Sequence, residues 1–478
     1  MPENYSLMIP GVGPMDEKVT VTAPYDGAVI ATLDAADANA VEQALKTAND
    51  LFTDRTTWLT VPERIVILKK TAELMSEQAD SLAQEAAHEG GKPLIDSQVE
   101  VARAIDGVYN CIECMRTDSG REIPMGINPA SAHHMAFTRK QPIGVVVSVS
   151  AFNHPLNLIV HQVGPAIASG CPVIVKPAED TPLSCYRFVS LLREAGLPDA
   201  WCQALVVTDL DVATKLVTDS RVAFFSFIGS ARVGWSLRSQ LAPGTRCALE
   251  HGGVAPVILE ADADLDDAIP LLAKGGFYHA GQVCVSVQRI FCHHSIARDV
   301  AERLAKLANQ QVVGDPLDAK TEVGPLIRQR EVERVSQWVD DAVKEGAVLL
   351  SGGKVTGHCY QPTVLFQPSA DSTVSTNEIF GPVICVYSYD DIDEALQQAN
   401  SLPYSFQASV FTKNIDTALH VHEQINASAV MVNDHTAFRV DWMPFAGLKQ
   451  SGLGTGGIPY TYEDMQIDKM IVIRSTVI

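Results

Sequence analysis

The chain has 478 residues, 46% hydrophobic and 19% charged, enough for two or three domains around well-buried cores. Its formal net charge of −21 repels phosphate backbones and anionic lipid, which excludes nucleic acid and membrane surfaces as expected partners. The start Met1-Pro2-Glu3-Asn4-Tyr5 has no basic stretch leading into an apolar one, and no run of 18 apolar residues follows, so neither a signal peptide nor a membrane span is expected.

Ten cysteines at irregular spacing read as free thiols in a reducing cytoplasm. Cys111 and Cys114 form a CxxC inside a helical pattern with no second pair. They are expected to be ordinary helix cysteines, and no metal site is expected.

The first third of the chain is helix-rich. Thr60-Val61-Pro62-Glu63 is a capping box with proline in the first turn, and Ile65, Leu68 and Ala72 share one face of the helix it opens. Helical patterning is expected to run to Gly90-Gly91, where the glycines and Pro93 stop it. From Pro142 the pattern changes. The short β-branched runs Gly144–Val149, Cys171–Val175 and Val222–Ser226 alternate with helical stretches, which predicts a parallel, doubly wound sheet. Pro256–Leu259 and Arg289–Cys292 repeat the style, so a second α/β domain is expected. Met470–Ile478 reads as a strand, and its apolar face calls for a neighbour to pair with.

Three short segments can carry chemistry. In Gly281-Gln282-Val283-Cys284 the thiol is either a nucleophile or a plain core residue. In Leu249-Glu250-His251-Gly252-Gly253 the glutamate beside two glycines either approaches a ligand or serves a turn. In Ala151-Phe152-Asn153-His154-Pro155-Leu156-Asn157 the Asn153 amide either donates to a developing oxyanion or caps a helix.

Taken together, the order and separation of Asn153, Glu250 and Cys284 resemble the NAD(P)-dependent aldehyde dehydrogenase superfamily. Further matches are Lys176-Pro177-Ala178-Glu179-Asp180-Thr181-Pro182, Phe227-Ile228-Gly229-Ser230-Ala231-Arg232-Val233-Gly234, Glu378-Ile379-Phe380-Gly381-Pro382 and Pro444-Phe445-Ala446-Gly447-Leu448-Lys449-Gln450-Ser451-Gly452. The resemblance runs from about Ala23 to near the C-terminus, and it is nearest the lactaldehyde and non-phosphorylating glyceraldehyde-3-phosphate dehydrogenase branch.

The resemblance implies an α/β fold with two doubly wound parallel-sheet domains and a small oligomerisation arm. Residues 1–119 and 141–248 would bind NAD, 249–432 would be catalytic, and 120–140 with 463–478 would form the arm. Residues 433–462 would line the substrate tunnel and rejoin the NAD-binding domain. A homodimer or homotetramer is implied. Cys284 would attack an aldehyde, Asn153 and the Cys284 N–H would hold the alkoxide, and Glu250 would activate water. The family's CoA-acylating branch typically lacks this glutamate, so its presence favours water over a thiol acceptor. A catalytically retired relative would have lost one of the three groups, and all three are present.

On the cofactor side, the resemblance assigns Lys176 and Glu179 to the adenosine ribose, and Gly229 and Ser230 to the pyrophosphate at a helix N-terminus. It assigns Glu378 to the nicotinamide ribose, with Phe380 and Phe152 packing beside it. Glu179 would repel a 2′-phosphate, which favours NAD over NADP, and Asp209 would add negative charge at the adenosine end. The sequence departs from the usual ELGGK motif at His251 and Val254, from FTGS at Ile228, and from a common tryptophan at Phe152. For the substrate, His154 and His161 on one helix face, with Arg439 and Phe445, suggest an aldehyde with a polar or anionic tail. Arg439 could instead pair with Asp441 or Asp434. Val283 beside the nucleophile offers no charge to a phosphate.

Overall fold

β-Branched runs between helices build two parallel sheets in the computed structural model, which describes residues 3–477. The first sheet has the order Gly452–Leu453, Arg246–Glu250, Val222–Ile228, Val145–Val149, Val173–Lys176, Cys202–Ala204. Only Gly452–Leu453 runs antiparallel, against Arg246–Glu250. The second has the order Val348–Ser351, Thr363–Phe366, Val383–Tyr389, Val287–His293, Ala255–Leu259, Gln407–Phe411, Ala429–Val432, with its first strand antiparallel.

Helices cover both faces of the first sheet. Its alternate residues therefore enter two cores, Val146 and Val175 on one side and Val147 and Ile174 on the other, all fully buried. This is why the strands read as unbroken apolar runs. The strand order reverses between Val145–Val149 and Val222–Ile228, which opens a crevice at their carboxyl ends. Glu250 ends the last parallel strand of the first sheet, and Ala255 begins the second sheet only a few residues later.

Helical structure reaches Gly90 and stops at Gly91 as expected, but the helix opened by the Thr60 capping box covers only its first part. It ends at Glu77, and a second helix, Ala79–Gly90, starts after Gln78. Gln78 has left helical geometry at φ −110 and ψ 15, while both helices pack on Leu94–Thr117. A third sheet joins Glu122–Ile123, His134–Pro142 and Gln466–Arg474, all antiparallel. The last strand starts earlier than Met470, stops at Arg474, and is exposed throughout after Gln466. Ile478 lies outside the described residues, as do Met1 and Pro2. Among the described residues no helix is long and apolar enough to cross a membrane.

Candidate active site

A cavity of about 740 Å³ lies between the two parallel sheets, and Asn153, Glu250, Cys284, Glu378, Arg439 and Phe445 all line it. Asn153 sits in the turn that leaves Val145–Val149 and enters the helix Asn157–Ser169. It does not cap that helix. The first amides of the helix, those of Leu156 and Asn157, instead donate to Glu100 Oε1, each at 2.9 Å. Glu100 is fully buried and paired with Lys92. The Asn153 amide is thus left for the cavity side, where it donates to the Gln282 carbonyl at 2.9 Å.

The helix Leu265–Phe277 ends before Cys284, and the chain reverses through Tyr278–Gly281. His279 and Ala280 there are left-handed, at φ 48 and 53. Gly281 follows at φ 68, and a Cβ on it would lie 2.1 Å from the Gly381 carbonyl oxygen, so only glycine fits. Gln282 anchors the loop. Its Oε1 accepts from the Ile327 amide at 3.0 Å, and its Nε2 donates to the Pro325 carbonyl at 3.3 Å. Burial pushes the Cys284 thiol up to about 12; Arg439 opposes the shift, and Glu378 and Glu250 add to it. Burial also raises the Glu250 carboxyl, again opposed by Arg439. A Cβ at Gly456 would lie 2.0 Å from Glu250 Oε1, so that glycine makes room for the carboxylate.

The expected cofactor residues Phe152, Lys176, Glu179, Gly229, Ser230, Glu378 and Phe380 line the same cavity. Lys176 Nζ lies 3.4 Å from Glu179 Oε1. Ser230 opens the helix Ala231–Arg238 without a side-chain cap, which leaves a helix start able to receive an anion. Glu378 Oε1 accepts from the Gly253 amide at 3.2 Å, and burial raises its carboxyl to about 8. Phe152 meets Phe380 edge-on, with ring centroids 5.9 Å apart. A carboxylate and lysine at one end, an uncapped helix start and a buried carboxylate fit an extended dinucleotide. Asp209 does not line the cavity; its side chain caps the helix Leu210–Thr218, accepting from the Asp211 amide at 2.8 Å.

The substrate side differs from expectation at one residue, His161. His154 lines the cavity, with Nε2 3.4 Å from the Tyr278 hydroxyl, and burial holds its ring neutral. His161 does not reach the cavity wall. It lies behind, with Nε2 2.7 Å from Asp441 Oδ1 and Nδ1 3.4 Å from Arg439 Nη2. A substrate contact by His161 is therefore replaced by a support for Arg439. Asp441 also takes Arg103 through two bonds, of 3.0 and 2.7 Å, and Asn157 at 3.1 Å. Those partners occupy it, and Arg439 has no carboxylate partner among the described residues. Arg103 and Tyr278 also line the cavity, and neither was expected from the sequence. Nothing in the spacing links residue 103 to its partner 441.

Residues 12–471 match the model of the aldehyde dehydrogenase family. A 3-sulfolactaldehyde dehydrogenase from Priestia aryabhattai is 37% identical over 458 residues, covering 96% of this chain and 95% of that protein. Aldehyde dehydrogenase 21 from Physcomitrella patens, solved in complex with the reaction product succinate, superposes with a TM-score of 0.95 at 32% identity, covering 100% of this chain and 99% of that one. Glyceraldehyde-3-phosphate dehydrogenase GapN from Methanocaldococcus jannaschii, complexed with NADP, gives a TM-score of 0.92 at 34% identity, covering 96% and 100%.

Proposed function

The chain belongs to the aldehyde dehydrogenase family, and we propose that it oxidises a short polar or anionic aldehyde to its carboxylic acid, with NAD preferred over NADP. The observation that carries this is one cavity holding Cys284, Glu250 and Arg439, an arginine with no carboxylate partner among the described residues.

The Cys284 thiolate forms a sulfur–carbon bond with the aldehyde carbon, and the carbonyl oxygen becomes an alkoxide. The Cys284 backbone N–H and the Asn153 amide hold that alkoxide. Asn153 has two N–H donors, so one can stay on the Gln282 carbonyl while the other faces the alkoxide. A nicotinamide dinucleotide held in the cavity would supply the hydride acceptor that lets the alkoxide collapse to a thioester on Cys284. Glu250 then takes a proton from water, the water oxygen attacks the thioester, and the acid leaves with the thiolate restored.

Lys176 and Glu179 would hold the adenosine ribose, Gly229 and Ser230 the pyrophosphate, and Glu378 the nicotinamide ribose. The Methanocaldococcus jannaschii relative holds NADP, so the preference for NAD rests on Glu179 of this chain and its charge against a 2′-phosphate. Arg439 and His154 would face the substrate's tail, with Phe445 beside them. The exposed sheet ending in Gln466–Arg474 would join two copies into a dimer or tetramer.

The test is NADH or NADPH production, with NAD or NADP respectively, across propanal, benzaldehyde, lactaldehyde, succinic semialdehyde and sulfonated and phosphorylated three-carbon aldehydes, with Cys284→Ala as blank. Fast turnover of the small polar and anionic members with NAD supports the proposal. Turnover confined to apolar or aromatic aldehydes overturns it.

A further inference from the structure

His251 follows the general base directly and stands where the family motif usually has leucine. Its ring is buried between Phe227 and Trp235, with ring centroids 5.6 and 5.7 Å away. It fills the space beneath the first turns of Ala231–Arg238. A Cβ at Gly234 would lie only 2.1 Å from His251 Cε1.

The ring makes one polar contact, Nδ1 to the Gly229 carbonyl at 2.9 Å. A carbonyl only accepts, so Nδ1 carries the proton in this contact. Nε2 is buried with no partner among the described residues. On its other side, the Gly229 amide donates to the Glu250 carbonyl at 3.0 Å. Both polar groups of Gly229 are therefore tied to consecutive residues, Glu250 and His251. The peptide that joins Gly229 to Ser230 is planar and trans, so a carbonyl held on one side sets the Ser230 N–H on the other. A leucine would pack in the same space without fixing that peptide.

We propose that His251 is a positioning residue for the dinucleotide, holding the Gly229 carbonyl so that the Ser230 N–H stays presented at the helix start that opens on the cavity. This rests on the reading of Gly229 and Ser230 as the pyrophosphate site. Leucine is the motif's usual residue, and asparagine resembles it in shape while placing an amide N–H near the position of Nδ1. His251→Leu and His251→Asn therefore differ chiefly in the donor.

Calorimetric titration of the full-length enzyme with NAD, without aldehyde, tests the proposal. His251→Leu should weaken binding about three- to tenfold, the range of one net hydrogen bond. His251→Asn should stay within about twofold. In steady state His251→Leu should raise KM for NAD and leave KM for the aldehyde unchanged. Unaltered binding in His251→Leu, or equal losses in both variants, would overturn the role of the donor. Failure of the unsubstituted enzyme to bind any dinucleotide would overturn the cofactor site itself, and this proposal with it.

Discussion

Arg439 lies over the Phe445 ring, its Cζ 3.5 Å from the ring centroid, and meets no carboxylate within ion-pair distance among the described residues. Asp441, two positions along the chain, is held by Arg103, His161 and Asn157. The guanidinium is therefore supported on one face by an aromatic ring and left with donors to offer a ligand.

Replacing Arg439 by alanine should lower kcat/KM for carboxylated or sulfonated aldehydes by about 10- to 100-fold, the worth of a charged hydrogen bond. The loss should fall mainly on KM, with propanal changed far less. Equal losses on both substrates would make Arg439 structural. The measurement is steady-state NADH formation.

Burial raises the Cys284 thiol, so the protonated, unreactive form dominates near neutral pH. Alkylation of the cofactor-free enzyme by iodoacetamide should speed up about tenfold per pH unit, without a plateau between about pH 6 and about pH 9. Arg439 opposes the shift, so Arg439→Ala should slow alkylation at a given pH. A plateau near neutrality would mean the thiolate is held by groups other than those seen here.

Glu250→Gln should leave acylation largely intact and stop hydrolysis. NADH should appear in a burst of about one per active site and then stall, with steady turnover down about 10²- to 10⁴-fold. Intact-mass spectrometry should find the acyl group on Cys284. Normal turnover in the variant, or full recovery only on adding CoA, would point away from water as the acceptor.

Lys92 and Glu100 are both fully buried and paired, and Glu100 also anchors the helix behind Asn153. Glu100→Gln leaves a buried lysine without its counter-charge and should cost about 3–5 kcal/mol in urea unfolding. Replacing both partners with apolar residues of similar size should recover part of that loss. A single variant as stable as the parent would show that the pair is not holding the helix start.

In the strand Gln466–Arg474, Ile471 and Ile473 are 49% and 40% exposed beside an unpaired edge. Lysine at both positions should convert the proposed dimer or tetramer to monomers in light scattering. An unchanged mass would place the contact elsewhere.

Much of this was legible because chemistry and turn geometry are local. The Thr60–Glu63 capping box forms as expected, with the Glu63 carboxylate accepting from the Thr60 amide at 2.7 Å. The β-branched runs became strands; Val222–Ile228, Ala255–Leu259 and Val287–His293 reach beyond the expected runs, while Val145–Val149 and Val173–Lys176 start one and two residues later than expected. The motif residues Asn153, Glu250, Cys284 and Glu378 meet because each lies at or near a strand end or a loop facing the inter-sheet cleft. What could not be read was long-range. The choice of Asp441 for Arg103 over Arg439 depends on a helix more than three hundred positions away. His161 and His154 were expected on one helix face, but His154 stands in the bend before the helix Asn157–Ser169 and only it reaches the cavity, so helical periodicity does not relate the two. The helix break at Gln78 likewise follows from packing on a third helix.

The strand pairing of Glu250 with Gly452, and the seating of its carboxylate against Gly456, assign the completion of the site to a late stretch of the chain. During synthesis Cys284 leaves the ribosome before that stretch exists. At roughly 5–20 residues per second, the interval is on the order of ten to thirty seconds. Until it closes, the nascent polypeptide carries a cysteine with neither the Glu250 carboxylate seated nor Arg439 in place. The order of translation thus keeps the thiol unassisted until the whole catalytic surface can assemble at once.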